Sequence, residues 1–237
     1  MKTQLLTFLF IFASACYLIS QNPPVETGNI PVSANDGAAY GSMFANLVGK
    51  RSNNYHSVVG TPYLYDEWSK GKLLVMGDEA SFDEVKINVL ENVLEVKIKG
   101  AEKVLESRYL TSFDLIGADL TSQHFVNGDR YKYEGRPLTG FVKETKVGEF
   151  TVLTRFKARW VKPDQTDKIV GGDPRDKIVH TKETYIMKGE RLTPVKSKKD
   201  LLEILKKKEK KIKAFMKENR TNVKEESDLV EVLKHYG

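Results

Sequence analysis

The alternation in residues 149–160, EFTVLTRFKARW, constrains the fold more than any other feature of this chain. Phe150, Val152, Thr154, Phe156, Ala158 and Trp160 fall on one side of a period of two, and Leu153, Arg155, Lys157 and Arg159 on the other. Successive side chains of a strand point to opposite faces, whereas a helix would scatter both sets around its circumference. The segment therefore makes a strand with one apolar face and one mostly basic, wet face. Such strands belong to antiparallel sheets with a solvated side.

The same period recurs upstream. Val85, Ile87 and Val89 alternate with Lys86 and Asn88, and Leu94, Val96 and Ile98 alternate with Glu95 and Lys97. Glu91-Asn92 between them supply a turn, since Asn tolerates the positive φ of tight hairpins. Further strands are expected at 62–66, 71–76, 103–106, 109–115, 123–126, 130–134, 140–146, 178–187 and 191–195, with glycines between many of them. Many short strands separated by turn signals predict a meander folding into a sandwich or barrel. No βαβ rhythm is present, which excludes the parallel-sheet nucleotide-binding folds.

The last forty residues change period. Leu201, Leu205, Ile212 and Phe215 recur at helical spacing, and Leu229, Val232, Leu233 and Tyr236 share a second helical face. Ser197 with Asp200, and Asn222 with Glu225, have capping-box spacing. A helical hairpin over 198–218 and 223–236 follows. The expected fold class is α+β: mainly antiparallel β meander, sandwich or barrel-like, with a C-terminal helical hairpin.

The N-terminus reads as an address. Lys2 precedes an uncharged apolar run from Leu5 to Ile19, the form of a secretory signal, and the run is short for a membrane span. Cleavage before Gln21 is expected. The alternative is lipidation at Cys16, which follows Ala13-Ser14-Ala15. Cys16 is the single cysteine, so a disulfide framework and a thiolate zinc site are both excluded. The expected organisation is a signal peptide (1–20), a flexible leader with a short helix at Gly41–Lys50 (21–54), a β domain (55–196) and a basic helical hairpin (197–237). The location is then the periplasm or outer membrane.

Charge is concentrated. Residues 188–224 hold 14 Lys+Arg and 5 Asp+Glu, whereas the whole chain carries a net +6. Lys206, Lys207, Lys208, Lys210, Lys211, Lys213 and Lys217 occupy about three turns and are the candidate partner-binding residues. An acidic envelope surface or an envelope protein suits them, with peripheral membrane contact included. Nucleic acid does not, because the chain is expected to be exported and the run lacks aromatics for base stacking apart from Phe215. A solvated helix face is the competing explanation.

Catalytic patterns are weak. There is no G-x-S-x-G elbow. His56, His124, His180 and His235 are scattered. Asp164, Asp167, Asp173 and Asp176 in the loop 161–177 lack calcium-loop spacing. Asp78, Glu79, Asp83 and Glu84 form an acidic patch. Tyr63, Tyr65 and Trp68 are a candidate aromatic platform for a glycan or peptide, and a buried strand face shared by Tyr63 and Tyr65 is the leading explanation. No cofactor or metal is expected. The leading expectation is a non-enzymatic envelope binding protein or accessory subunit. The alternatives are an envelope hydrolase whose residues converge only in the fold, and a carrier of a small apolar ligand.

Three stretches carry a resemblance. Gly60-Thr61-Pro62-Tyr63-Leu64, the strand VLEVKIKG at 93–100, and KKEKKIKAFMKENR leading to ESDLVEVLKHY resemble uncharacterised exported proteins of Bacteroidota. Those proteins combine a signal peptide, a β meander and a Lys-rich C-terminal helical hairpin. The resemblance implies a Gram-negative envelope location and brings no activity or site residues.

Expression in a Gram-negative host followed by intact-mass measurement should return a chain starting at Gln21. A diacylated chain starting at Cys16 would overturn that and establish lipidation.

Overall fold

The computed structural model describes residues 32–33, 48–50, 55, 58–117, 119–163, 175–206 and 209–237. The expected signal peptide, Cys16 and most of the leader lie outside them. Fourteen strands are present among the described residues: β1 Val32–Ser33, β2 Val48–Lys50, β3 Ser69–Val75, β4 Asp78–Asn88, β5 Val93–Ile98, β6 Ala101–Glu106, β7 Leu110–Ile116, β8 Ser122–Asn127, β9 Lys132–Tyr133, β10 Arg136–Pro137, β11 Phe141–Val147, β12 Phe150–Val161, β13 Lys177–Lys188 and β14 Arg191–Pro194. Three helices follow, α1 Lys198–Leu205, α2 Glu209–Glu218 and α3 Glu226–Tyr236.

One sheet runs β14-β13-β12-β11-β8-β7-β3-β4-β5-β6-β2, with β1 beside β4. It is antiparallel except for the β1–β4 pair. The chain is not a plain meander, because β7 returns to pair with β3 while β2 takes the far side of β6. Val48–Lys50, expected within a short helix, is that edge strand.

The sheet curls strongly. Val59 bridges Lys177 of β13 in the lane continuing β14, and Tyr63 bridges Asn88 of β4 in the lane continuing β3. In a flat sheet those lanes, six strand intervals apart at about 4.8 Å each, would be about 29 Å apart. The four-residue link reaches at most about 14 Å. The strap therefore ties together two parts of a curved sheet. Its anchors are Val59 N–H to Asp176 O at 2.9 Å, Leu64 N–H to Ile87 O at 2.9 Å and Val89 N–H to Pro62 O at 2.8 Å. The sheet itself stays open, with β14 and β2 as edges, so a sandwich describes it better than the barrel alternative.

The concave face of the sheet carries two cores. In the first, Phe113 stacks on Phe125 at 5.1 Å and meets Phe141 edge-on at 5.1 Å, among Leu73, Val85, Leu94 and Leu105. In the second, Phe150, Val152 and Ile186 pack against Leu201, Ile212, Met216, Leu229 and Val232 of the helices. A smaller cluster on the convex face joins Val126, Val142, Leu153 and Tyr185 to Tyr131 and Tyr133 beside the β9–β10 hairpin. Gly128 permits the approach of that hairpin, since a Cβ there would lie 1.7 Å from Leu138 O.

Between the two concave cores sits Glu226, in the first turn of α3. It accepts hydrogen bonds from Thr145 Oγ1 at 2.7 Å and Thr154 Oγ1 at 2.9 Å, and Lys143 Nζ is 3.2 Å away. The neighbouring Glu225 pairs with Lys182 at 2.7 Å. A carboxylate is also favoured at a helix N-terminus by the backbone dipole.

The expected 198–218 helix is two helices. Lys206 adopts a left-handed conformation at φ 48, and its N–H closes α1 on Leu202 O at 2.9 Å. In α2 Ile212 and Met216 turn inward, while Phe215 stays half-buried beside His235 and Tyr236. The final helix starts at Glu226 rather than 223. Asn222 forms a local turn instead, accepting the Lys224 N–H at 3.1 Å and donating its own N–H to Asp228. Segment 62–66 is an irregular strap rather than a strand. Tyr63 and Tyr65 therefore share no buried strand face, and Tyr65 is 38% exposed.

Glu226→Ala should cost about 1–3 kcal/mol in urea denaturation, because it leaves the Thr154 hydroxyl, 2% exposed, without its acceptor.

Candidate functional site

α1 begins where Ser197 and Asp200 form a reciprocal cap. Asp200 N–H donates to Ser197 Oγ at 3.4 Å, and Asp200 Oδ2 accepts from the Lys196 and Ser197 N–H groups at 2.8 Å each. The Lys196 N–H, helped by Ser197, holds the Asp200 carboxyl below its ordinary range. Leu201 and Leu205 face the sheet, while Leu202 and Ile204 remain partly buried. The helices thus leave part of the concave face at β13–β14 uncovered.

That opening is a groove of 1110 Å³. Its lining includes Leu202, Ile204, Thr193 and the buried Ile186. The lining also carries Lys188, Arg191, Lys198, Lys199, Lys206 and Lys213 against two carboxylates, Glu203 and Glu209. Lys188 pairs with Glu149 at 2.5 Å, Lys213 with Glu209 at 2.5 Å, and Lys199 with Glu203 at 3.8 Å. Arg191, Lys198 and Lys206 make no ion pair among the described residues. Among the described residues of the lining, Thr193 is the one hydroxyl and no histidine joins it, and the excess of cations attracts an anion.

Of the seven lysines singled out from sequence, Lys206 and Lys213 line this groove. Lys210, Lys211 and Lys217 are exposed on α2 and are not part of the lining. Lys207 and Lys208 lie outside the described residues. Lys188, Arg191, Lys198 and Lys199 escaped the sequence reading as site residues. Their only signal was membership of the basic 188–224 stretch, since nothing local says that a hairpin edge faces a helix.

Among the described residues the histidines do not gather. His124 Nδ1 lies 2.7 Å from Asp114 Oδ1 on the convex face, with side chains 42% and 40% exposed. His180 contacts the Thr61 carbonyl at 2.7 Å, and His235 the Glu231 carbonyl at 2.9 Å. His56, Asp164, Asp167 and Asp173 are outside the described residues, and Asp176 accepts from Trp160 Nε1 at 2.6 Å. The acidic patch is distributed among ion pairs of the sheet: Glu79 with Lys72, Asp83 with Lys70, Glu84 with Lys97.

Other polar side chains brace the convex face. Tyr131 donates to Glu144, and burial together with that carboxylate raises its pKa. Burial and the adjacent Glu183 push Tyr185 up to about 12. Burial alone would raise Glu183, but Lys157 at 2.7 Å, Tyr185 and Arg155 hold it below the usual carboxylate range. These tyrosines are therefore protonated donors at neutral pH. Trp68 lies under Lys97 and Lys86 at 4.5 and 5.1 Å. Tyr63 donates at 2.9 Å to Glu95, a carboxylate 1% exposed that also accepts from Asn88 Nδ2. That arrangement braces the sheet, and it does not form an open aromatic platform.

No protein-family model, curated protein or solved structure matches this chain.

Lys206 holds a backbone conformation that glycine adopts without a Cβ penalty. Lys206→Gly should raise the stability by about 1 kcal/mol in urea denaturation. An unchanged or lower midpoint would contradict the strain argument.

Proposed function

We propose that the protein is an exported cell-envelope component that binds a partner and carries out no chemistry on it. The partner presents negative charge, and the contact is the groove between β14 and the α1–α2 helices. The observation that carries this reading is the basic lining of that groove, where Arg191, Lys198 and Lys206 have no ion pair among the described residues. Placing three unneutralised cations around one groove serves little structural purpose. Surface ion pairs stabilise weakly, while unpaired like charges repel.

The N-terminal signal and the resemblance to exported Bacteroidota proteins support an envelope location. A Gram-negative envelope offers acidic lipids, phosphorylated glycans and acidic proteins. Among the described residues, the void inside the sheet among Leu64, Ile87, Phe125, Phe141 and Phe156 measures about 10 Å³, too small for a carried ligand.

The hydrolase alternative keeps one favourable observation. Asp114 engages His124 at Nδ1, the orientation used in nucleophile–base–acid triads, and Ser112 shares their strand face. Both partners are nevertheless about 40% exposed, away from the groove. A serine-reactive phosphonate that labels the protein, and ceases to label on His124→Ala, would favour hydrolysis.

The test of the main reading is capture of partners from envelope extracts across a salt series. Binding should weaken about tenfold or more between low and high salt. A triple charge reversal, Lys198→Glu, Lys206→Glu and Lys213→Glu, should weaken it to a similar degree. Salt-insensitive capture by both forms would remove the groove as the contact surface.

A further inference from the structure

The unpaired cations of the groove stand too far apart to serve one small anion. We infer that the groove binds a linear chain of phosphate groups, laid along α1 from Lys198 to Lys206 and met by Arg191 from β14. The inference rests on the groove being the contact surface proposed above.

Three observations lead to it. First, the cations are spread along the groove. Lys198 opens α1 and Lys206 closes it, and both are exposed in the lining. Eight residue steps with a rise of about 1.5 Å set their backbones roughly 12 Å apart along the helix. A lone phosphate can hold both only by stretching the two side chains toward each other, at a cost in rotamer freedom. An anion on each repeat of a chain meets each cation where it stands. The groove, at 1110 Å³, also exceeds the roughly 300–1000 Å³ usual for a compact ligand.

Second, the charge is not placed to stabilise the helix. Lys198 and Lys199 are the first two residues of α1, where the backbone dipole disfavours a cation. Six cations in the lining face two carboxylates. A polyanion laid beside Lys198 offsets both the dipole and that excess.

Third, the lining lacks what a protein partner or a base-bearing polymer uses. It contains no aromatic side chain among the described residues, whereas protein contacts are anchored by Trp and Tyr and single-stranded bases by stacking. The bordering edge strand is also a poor template for a peptide. Val195 N–H donates to Thr184 O at 2.8 Å, which sets the alternation of the β13–β14 ladder. By that alternation Arg191 and Thr193 bond inward to β13, leaving Leu192 and Pro194 the outward positions, and Pro194 has no N–H to give. An acidic peptide would therefore lose water from its amides without gaining a ladder. A phosphate chain has no amide to satisfy and asks only for cations.

The probe is long-chain inorganic polyphosphate, titrated calorimetrically into the full-length protein. Saturable binding is expected, and orthophosphate at equal phosphate concentration should bind at least about a hundredfold more weakly. Poly-L-glutamate of matched charge should bind at least about tenfold more weakly, because its amides go unpaired. Three contacts to a flexible polyanion give log affinity against log salt a slope of about −2. Lys198→Gln with Lys206→Gln should cut that slope to roughly −0.7 and lower the affinity about tenfold or more. Lys211→Gln with Lys217→Gln removes the same charge from exposed positions of α2 outside the lining, and should leave the slope unchanged. All four lysines are exposed or close a helix end, and circular dichroism melting checks that both variants stay folded. Absence of saturable binding, equal binding of poly-L-glutamate, an unchanged slope in the Lys198 and Lys206 variant, or an equal loss in the α2 variant would each overturn the inference. If polyphosphate fails while salt-sensitive capture of an acidic protein persists, the phosphate chain is refuted and the binding-protein reading stands.

Discussion

The register of β12 governs more of this molecule than any other single interaction. Twelve residues of β12 pair with β13, and six with β11. Its even-numbered side chains then serve three different environments along one face. Phe150 and Val152 enter the helical core, Thr154 meets Glu226, and Phe156 packs against the phenylalanine core. The odd-numbered face sends Leu153 into the convex cluster and Arg155 and Lys157 to Glu183. A slip of one residue would exchange the two faces throughout. Both cores and the docking of α3 therefore depend on the same alternation.

The groove follows from what the helices leave uncovered. α3 is held over β11 and β12 by Glu226, while the short α1 is pinned by its Ser197–Asp200 cap and ends at Lys206. A continuous helix from 198 to 218 would lay one lysine-studded stripe along the surface. The break instead sets α1 and α2 against the β13–β14 edge, so that cations distant in sequence line one groove. The curled sheet contributes by presenting that edge with its concave side toward the helices.

The chain announces its strands clearly because most of them are half-buried and alternate in polarity. The segments expected at 71–76, 109–115, 123–126, 140–146, 149–160, 178–187 and 191–195 differ from the observed strands by one or two residues at their ends. Asn92, expected in the β4–β5 turn, has φ 59. Features depending on distant partners were less legible. The pairing of β7 with β3, the strap from Val59 to Tyr63 and the edge strand at Val48–Lys50 have no local pattern of their own. The helix break was not legible, since a run of lysines alone does not reveal a left-handed residue at 206.

Sequence alone determined the kinds of element and where the charge lies. Period-two alternation, period-3.6 recurrence and the basic stretch at 188–224 are local properties, set by strand and helix geometry and by side-chain ionisation. Only the tertiary structure decided which cations act together. Lys188, Arg191 and Lys198 join Lys206 because a curved sheet edge meets a capped helix, whereas Lys210, Lys211 and Lys217 do not, although they are neighbours of Lys206 along the chain. Proximity in space is set by packing both hydrophobic faces at once, and no single stretch of residues encodes that outcome.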